Sequence, residues 1–348
     1  MSTILSLSQL GWSPFFQQQL SLEEWEQSIV GRVIERHRSM IELATEQGNR
    51  TLHIIPGMPE LTVGDWALLD REGRFHRVLE RLSLFSRKAS GTKVAAQLIA
   101  ANVDTLFVVS SLNDDFNLNR IERYLALSSE AGVEAVVVLT KADLCEETDG
   151  YVRQVQSLDS MLMVEVVNGL DPISVNVLES WCYTGKTVAL LGSSGVGKST
   201  LVNTLLGSSV QAIASIREDD SKGRHTTTTR SLHFLPAGGL LLDTPGMREL
   251  QLFDCEEGIR ETFADIDKLA GQCRFADCHH DKEPDCAVRA AIEAGELDKR
   301  RLTSFKKLMR EQALNSASLQ EKRARERALG RFYRSTMRAS QQWKKGRQ

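Results

Sequence analysis

The chain has 348 residues, of which 41% are hydrophobic and 26% are charged, as in an ordinary globular protein of two or three domains. This composition excludes a disordered chain and a collagen-like repeat, and no apolar run approaches the roughly 20 residues that a membrane-spanning helix needs. Residues 298–348 carry a net charge of +12 and the remaining residues carry −15, which predicts a basic tail with a polyanionic partner. The N-terminus lacks the features of a signal peptide, so we expect a cytoplasmic protein without a membrane partner.

Residues 1–27 contain no motif with evident chemistry and are expected to form an irregular leader. Residues 28–90 contain short segments of alternating apolar and polar residues, separated by glycine and proline turns. Several short strands within about sixty residues predict a small β-barrel, either SH3-like or OB-like. Such barrels serve many functions, so this region alone does not identify one.

Residues 91–255 alternate continuous apolar strands with helices, which predicts an α/β domain with a mainly parallel sheet covered by helices on both faces. Residues 256–300 are helical and rich in potential metal ligands, and residues 301–348 are expected to form a basic helical tail. The tail combines Lys and Arg with Phe332, Tyr333 and Trp343, a composition that suits structured RNA through phosphate contacts and stacking.

A glycine-rich segment, Gly-Ser-Ser-Gly-Val-Gly-Lys-Ser, occupies residues 192–199 between an apolar strand and a helical sequence. It fits the pattern G-x-x-x-x-G-K-S in the context that a phosphate-binding P-loop requires. Backbone N–H groups and the helix N-terminus would surround an anion. We expect Lys198 to reach the β- and γ-phosphates and Ser199 to ligate Mg²⁺.

A second candidate phosphate segment, Asp-Thr-Pro-Gly, begins at Asp243 directly after an apolar strand. The carboxylate can hold Mg²⁺ through water, and the Gly246 amide can sense a γ-phosphate. Between the two segments lies a threonine-rich stretch in which Thr227 is the favoured Mg²⁺ ligand and His225 can orient the attacking water. Met247 stands where related enzymes place a water-positioning glutamine, and no arginine finger is evident in the chain, so we expect slow basal hydrolysis.

The tetrapeptide Thr140-Lys141-Ala142-Asp143 closes another apolar strand and resembles the base-reading motif of GTPases. Asp143 would accept two hydrogen bonds from guanine N1–H and its exocyclic amine. Adenine offers no such pair of donors, so the carboxylate would be left without partners. The three motifs together predict a guanine-nucleotide site, with a P-loop ATPase or kinase as the alternative.

The order of these motifs differs from that of ordinary small GTPases, in which the P-loop comes first. Here Lys141 precedes Lys198, which precedes Asp243. The order predicts a circularly permuted sheet that opens after the Asp-Thr-Pro-Gly segment. Ligands bind at the carboxyl ends of parallel strands whatever the chain order, so the site is expected to remain intact.

Three cysteines and a histidine lie within fourteen residues, in the pattern Cys273-x4-Cys278-x-His280-x5-Cys286. Three thiolates and one imidazole suit a closed, tetrahedral and structural Zn²⁺ site. His279 is the competing ligand, although its spacing from Cys278 favours it less than His280. The remaining cysteines, Cys145, Cys182 and Cys255, are expected to be inert thiols.

Taken together, these motifs resemble the ribosome small subunit-dependent GTPase A (RsgA/YjeQ) family of circularly permuted GTPases. The resemblance covers about residues 28–340 and includes the Gly-Arg-His-Thr-Thr-Thr segment that begins at Gly223 and the Val-Gly-Asp-Trp segment that ends at Trp66. It implies an OB-type barrel, a permuted P-loop GTPase domain and a helical zinc-binding module. One departure concerns residues 164–170, where the family usually carries a Ser-Ala pair.

The resemblance further implies a late assembly factor of the small ribosomal subunit, whose GTP hydrolysis is stimulated by that subunit and whose OB domain and zinc module bind ribosomal RNA. It also implies that His225 positions water and that Cys273, Cys278, His280 and Cys286 bind zinc. We expect a monomer, with a nucleotide-gated RNA-binding adaptor as the rival interpretation. The residues expected to bind GTP or GDP with Mg²⁺ are Thr140, Lys141, Ala142, Asp143, Gly192, Ser193, Ser194, Gly195, Val196, Gly197, Lys198, Ser199, Thr200, Thr227, Asp243 and Gly246.

Overall fold

The computed structural model describes residues 5–88, 96–207, 230–243, 247, 250, 252 and 254–316. These residues form an N-terminal antiparallel sheet region, a central α/β region and a C-terminal group of helices. None of the described helices combines the length and the apolar character that a membrane span requires. The expected basic tail, from residue 317 onward, lies outside the described residues.

The N-terminal region consists of two short helices followed by seven strands. Its elements are α1 (Pro14–Gln17), α2 (Leu22–Gln27), β1 (Ile29–Arg36), β2 (Met40–Thr45), β3 (Gly48–His53), β4 (Trp66–Leu69), β5 (Phe75–Val78), β6 (Leu84–Lys88) and β7 (Ala96–Ala101). Strands β4, β1, β2 and β3 are antiparallel neighbours, β5 pairs with β4, and β6 pairs with β7. Strands β6 and β7 lie on either side of residue 90, where the sequence predicts the boundary between the first two domains. The predicted domain boundaries stay predictions.

The residues before β1 differ from the expected irregular leader, because they form part of the hydrophobic core. Leu10 and Phe16 are buried. The ring of Trp12 meets the ring of Trp66 edge-on, with 4.9 Å between the centroids. Burial of these large apolar groups gives the N-terminal helices a packing role that local sequence patterns do not reveal.

Arg32 on β1 is buried, with 1% of its surface exposed, and connects three parts of the chain. Its guanidinium donates hydrogen bonds to the carbonyl oxygens of Leu10 at 2.5 Å, Asn102 at 2.9 Å and Gly64 at 3.3 Å. Burial lowers the pKa of Arg32 to about 10, so the group stays charged at neutral pH. These bonds fix the N-terminal helices and the entry to the α/β region against the same strand.

The α/β region contains six strands and four helices. Its elements are β8 (Thr105–Ser111), α3 (Leu118–Glu130), β9 (Glu134–Thr140), α4 (Thr148–Gln156), β10 (Met163–Val167), α5 (Pro172–Val175), β11 (Thr187–Leu191), α6 (Lys198–Leu206), β12 (Arg230–Phe234) and β13 (Leu240–Asp243). Two 3₁₀ turns cover Ala142–Leu144 and Asn176–Trp181. Strands β8 and β11 are buried along their whole length, as expected for parallel strands with helices on both faces.

The spatial order of these strands is β10-β9-β8-β11-β13-β12. The first five are parallel, and β12 is antiparallel to β13. Strand β11, which leads into the P-loop sequence, lies between β8 and β13 although β8, β9 and β10 all precede it in the chain. This is the arrangement that the motif order predicts for a permuted sheet.

Strand β12 also pairs with β1, so strands β1 to β5 and the six α/β strands belong to one 11-stranded sheet in the described part of the chain, and β6 and β7 form a separate pair. The register places Glu35 opposite Ser231 and Arg36 opposite Arg230. The N-terminal sheet region is therefore joined to the α/β sheet by backbone hydrogen bonds as well as by chain connectivity.

The C-terminal helices are α7 (Glu256–Thr262), α8 (Ala264–Ala270), α9 (Ala287–Glu293) and α10 (Lys299–Ser316). Helices α7 and α10 pack against α3 of the α/β region. Gly258 allows the closest approach, because a Cβ at that position would lie 2.2 Å from the carbonyl oxygen of Ala126. Any larger residue at this position would therefore separate α7 from α3. The Gly258 amide also donates to the Glu130 carboxylate on α3 at 2.8 Å.

A buried carboxylate on α3 fixes α10 as well. Glu122 has no exposed surface and forms ion pairs with Arg300 at 2.9 Å and with Arg301 at 3.1 Å. Arg301 also pairs with Asp265 on α8 at 2.6 Å and lies over the ring of Phe263. Two cations around one buried carboxylate satisfy a charge that would otherwise be costly to desolvate.

Candidate functional site

The segments expected to bind a nucleotide meet at the carboxyl edge of the parallel strands. The P-loop sequence, residues 192–197, connects β11 to α6. Gly192 lies against β8, where a Cβ would come within 2.4 Å of the Val109 carbonyl oxygen. Gly197 caps α6 with a φ of +92°, a conformation that favours glycine. Two glycines of the motif are thus required by the fold itself.

Lys198, the first residue of α6, is largely buried, and its side chain folds back over the loop. Its ammonium group donates to the carbonyl oxygens of Gly192, at 2.7 Å, and of Ser193. The positive charge therefore lies within the concave side of the loop, where an anion would also meet the N-terminus of α6. This placement suits a phosphate-binding lysine.

The Thr140 side chain connects the base-reading segment to the P-loop. Its hydroxyl donates to the carbonyl oxygen of Val196 at 2.6 Å and lies 3.4 Å from the carbonyl oxygen of Ser110. Lys141 follows with a φ of 61°, in the left-handed region, and the chain then turns through Ala142–Leu144. Asp143 is exposed at this turn, so its carboxylate is accessible to a ligand at the same edge as the loop.

Residues 164–170, where the sequence departs from the resembled family, also contact α6, the helix that follows the P-loop. The Thr204 hydroxyl on α6 donates to the carbonyl oxygen of Gly169 at 2.6 Å. The Asn168 side chain accepts the Leu170 amide at 3.0 Å, and the Asn168 amide donates to Ser174 at 2.8 Å. Residues 168–170 therefore form a turn held next to the site without the usual Ser-Ala pair.

Asp243 is the last residue of β13, next to the P-loop strand, and is partly exposed. Met247 is 2% exposed and packs in the hydrophobic core, so its side chain is not available to orient water. The predicted residues His225, Thr227 and Gly246 lie outside the described residues, and their roles stay predictions.

The sequence interpretation missed two charged residues beside the loop, Asp115 and Arg120. Both oxygens of Asp115 accept hydrogen bonds from Arg120 at 2.8 Å, and the Ser193 hydroxyl donates to Asp115 at 2.7 Å. The signal was present in the sequence, because the polar run Asn-Asp-Asp begins two residues after the end of the apolar strand β8. The ends of neighbouring parallel strands meet at one edge, which made those residues candidates.

A second candidate site lies in the C-terminal helices, where Cys273, Cys278, His280 and Cys286 place one potential ligand atom each within 4.8 Å of one another. The Cys273 and Cys286 sulfurs are 3.8 Å apart, and His280 Nδ1 lies 3.6 Å and 3.4 Å from them. Sulfurs bonded at about 2.3 Å to a tetrahedral ion would be about 3.8 Å apart. The four residues therefore fit one tetrahedral metal ion.

The backbone explains why His280 rather than His279 belongs to this cluster. His280 has a φ of 58°, in the left-handed region, and its ring nitrogen lies against the sulfurs. The Glu283 carboxylate accepts the amides of His279, Asp281 and Lys282 at 3.0, 2.8 and 2.9 Å and so folds the loop. The backbone amide of Glu283 itself, together with these amides, lowers the pKa of the Glu283 carboxyl to about 2, so the carboxylate is ionised at neutral pH.

Two other cysteines are unsuited to metal binding. Burial raises the pKa of both Cys182 and Cys255 to about 12, so each remains a neutral thiol at physiological pH. This agrees with the expectation that they are inert.

The Thr140→Val substitution tests the contact between the base-reading segment and the P-loop. Valine keeps the shape but cannot donate to Val196, and one hydrogen bond contributes about 1 kcal/mol net, so we expect an affinity for GDP about fivefold weaker by titration calorimetry. Thr303→Val is the matched control, because Thr303 makes a similar bond to the Lys299 carbonyl at 3.0 Å on α10. Equal affinities for Thr140→Val and the unaltered chain would contradict this role.

The two adjacent histidines give a paired test of the metal site. We expect about one tightly bound metal ion per chain by elemental mass spectrometry. His280→Ala removes a ligand and should release most of the metal on dialysis, whereas His279→Ala should retain it. Metal loss in His279→Ala alone would show that the assignment of the fourth ligand is incorrect.

Comparison with known proteins places these sites in a family. The family model for the RsgA GTPase matches residues 78–253. A relative from Vibrio parahaemolyticus, named small ribosomal subunit biogenesis GTPase RsgA 2, is 60% identical over 337 residues, which cover 97% of this chain and 94% of that relative. A relative from Mesorhizobium japonicum, named small ribosomal subunit biogenesis GTPase RsgA, is 47% identical and covers 89% of this chain and 91% of its own length.

Solved structures agree with this placement. The crystal structure of YjeQ from Thermotoga maritima is 26% identical, with a TM-score of 0.61, and covers 82% of this chain and 98% of its own. The structure of YloQ, described as a circularly permuted GTPase, is 24% identical, has a TM-score of 0.56 and shares the fold over 82% of this chain and 94% of its own. The strand order, the joined nucleotide segments and these relatives lead to one conclusion: the chain belongs to the RsgA GTPase family.

Proposed function

We propose that this protein is a GTPase that acts in the assembly of the small ribosomal subunit and hydrolyses GTP when it docks there. The proposed binding of GTP rests on one observation, the 2.6 Å hydrogen bond from the Thr140 hydroxyl to the Val196 carbonyl oxygen. This bond joins the base-reading segment to the P-loop. The names of the relatives support the ribosomal part.

The P-loop residues would bind the phosphates. The amides of residues 192–199 and the N-terminus of α6 would hold the phosphate oxygens. Lys198, now bonded to loop carbonyls, would turn to the β- and γ-phosphates and stabilise the charge that develops there. Ser199 would ligate Mg²⁺ directly and Asp243 would hold it through water, and the ion would supply positive charge that neutralises the phosphates.

Asp143 would select guanine, because its exposed carboxylate can accept from both guanine donors. The turn at residues 168–170 lies against α6 and offers backbone groups to the other side of the base. Backbone contacts of this kind would replace those that the usual Ser-Ala pair makes.

Hydrolysis would depend on groups outside the described residues. Met247 is buried, so we assign the positioning of water to His225 and a Mg²⁺ contact to Thr227. Because Met247 occupies the position of a water-positioning glutamine and hydrolysis needs an ordered group there, basal turnover would be slow until docking places His225.

The C-terminal cluster would hold one structural Zn²⁺, since three thiolates and an imidazole match the preference of that ion. The ion would stabilise the loop between α8 and α9, which has few apolar residues of its own. We propose that this module, the OB-type barrel and the basic tail contact ribosomal RNA. A monomeric state and a cytoplasmic location stay predictions.

Small subunits are expected to stimulate hydrolysis at least about tenfold, because docking would place His225 to orient the attacking water. Phosphate release from GTP is measured with purified small subunits, with large subunits and with neither. Equal rates in all three assays would contradict the coupling and favour a nucleotide-gated adaptor.

Nucleotide choice tests the role of Asp143. An Asp143→Asn side chain can accept only one bond from guanine but can pair with N1–H and O2 of xanthine, so we expect affinity for GDP to fall about 100-fold and affinity for xanthosine diphosphate to rise. Asp149→Asn, an exposed change on α4, is the control. Preferential binding of ADP by the unaltered chain would exclude this assignment.

A further inference from the structure

We propose that Asp115 and Arg120 are positioning residues of the P-loop, which they hold through the side chain of Ser193. The proposal rests on the proposed binding of GTP by this loop. It assigns to α3, which carries none of the nucleotide motifs, a role in shaping the phosphate site.

The topology brings these residues together. Strands β8 and β11 are parallel neighbours, so the loop that follows β8, residues 112–117, lies beside residues 192–197. Asp115 belongs to that loop and Arg120 to the first turn of α3. The Ser193 side chain of the P-loop therefore meets one charged group from the loop after β8 and one from α3.

The three side chains form a closed network of hydrogen bonds. Arg120 Nη1 donates to both oxygens of Asp115 at 2.8 Å and to Ser193 Oγ at 2.7 Å. Ser193 Oγ donates in turn to Asp115 Oδ2 at 2.7 Å. The Ser193 hydroxyl thus both accepts a hydrogen bond from a charged group and donates one to a charged group. Hydrogen bonds to charged groups are stronger than those between neutral groups.

The Asp115 loop is itself fixed. Asn113 Oδ1 accepts the Ser111 hydroxyl at 2.7 Å and the Asp115 amide at 3.2 Å. The bonds from Arg120 and then from Ser193 lower the pKa of Asp115, which keeps its carboxylate ionised at neutral pH. The network is therefore built on a supported loop rather than on two mobile surface side chains.

Ser193 is the residue through which the network acts on the site. Its side chain is bonded to Asp115 and Arg120, and its carbonyl oxygen accepts from the ammonium group of Lys198. Fixing Ser193 consequently fixes the loop segment on which the phosphate-binding lysine rests. A loop already in its binding conformation loses less entropy when phosphates bind.

This role differs from that of a catalytic arginine. The guanidinium of Arg120 is engaged with the side chains of Asp115 and Ser193. Its contribution should be equal in the ground state and the transition state, because it shapes the loop in both. Removing it should therefore raise KM for GTP and leave kcat nearly unchanged.

The test is a double-variant cycle with Ser193→Ala, Asp115→Asn and the combined variant. Each single change should raise KM for GTP and the Kd of a fluorescent GDP analogue about fivefold, with kcat within about twofold of the unaltered enzyme. The combined variant should match Ser193→Ala, because loss of the Ser193 hydroxyl already removes the contact through which Asp115 acts on the loop. Asp114→Asn is the matched control, since the neighbouring Asp114 is exposed and no hydrogen bond or ion pair involves it in the described structure.

Conservative replacement adds a rescue test. Arg120→Lys keeps one cationic donor and should restore part of the affinity lost in Arg120→Ala. Additive losses in the combined variant, a fall in kcat at constant KM, or an equal effect of Asp114→Asn would each overturn the positioning role. Failure of the unaltered chain to bind GDP would instead contradict the proposed function itself.

Discussion

The nucleotide site depends on one hydrogen bond between two segments that lie 56 residues apart in the chain, from the Thr140 hydroxyl to the Val196 carbonyl. In this permuted chain the base-reading strand β9 comes before the P-loop strand β11. Tertiary contacts hold the carboxyl ends of these two strands at the same edge of the sheet. Strand β8 separates β9 from β11 in the sheet and sets their spacing. The Thr140 bond then links the two loops across the end of β8. It fixes the distance between the residues proposed to bind the base and those proposed to bind the phosphates.

Helix α3 extends this organisation beyond the nucleotide site. Its first turn carries Arg120, which reaches the P-loop, and Glu122 at the start of the next turn is enclosed by two arginines of α10. Gly258 of α7 lies against its C-terminal half, at Ala126 and Glu130. One helix of 13 residues therefore contacts both the loop that would bind phosphates and the module that carries the metal ligands.

The local motifs could be predicted from the sequence because each depends on residues close together in the chain. The P-loop, the base-reading tetrapeptide and the Cys-His cluster carry their chemistry in short, fixed spacings, and the motif order alone implied the permuted sheet. The burial of Leu10 and the bonds of Arg32 could not be predicted in this way. They depend on contacts between segments 22 to 70 residues apart, and an isolated arginine in a strand normally indicates a solvated position.

The join between β1 and β12 has a mechanical consequence. It contains two register pairs, whereas β8 and β9 share seven, and it has the fewest of any adjacent strands in the described part of the sheet. Because β12 also pairs with β13, a force applied to the N-terminal strands would pass through β12 to the strand that ends at Asp243, next to the strand that leads into the P-loop.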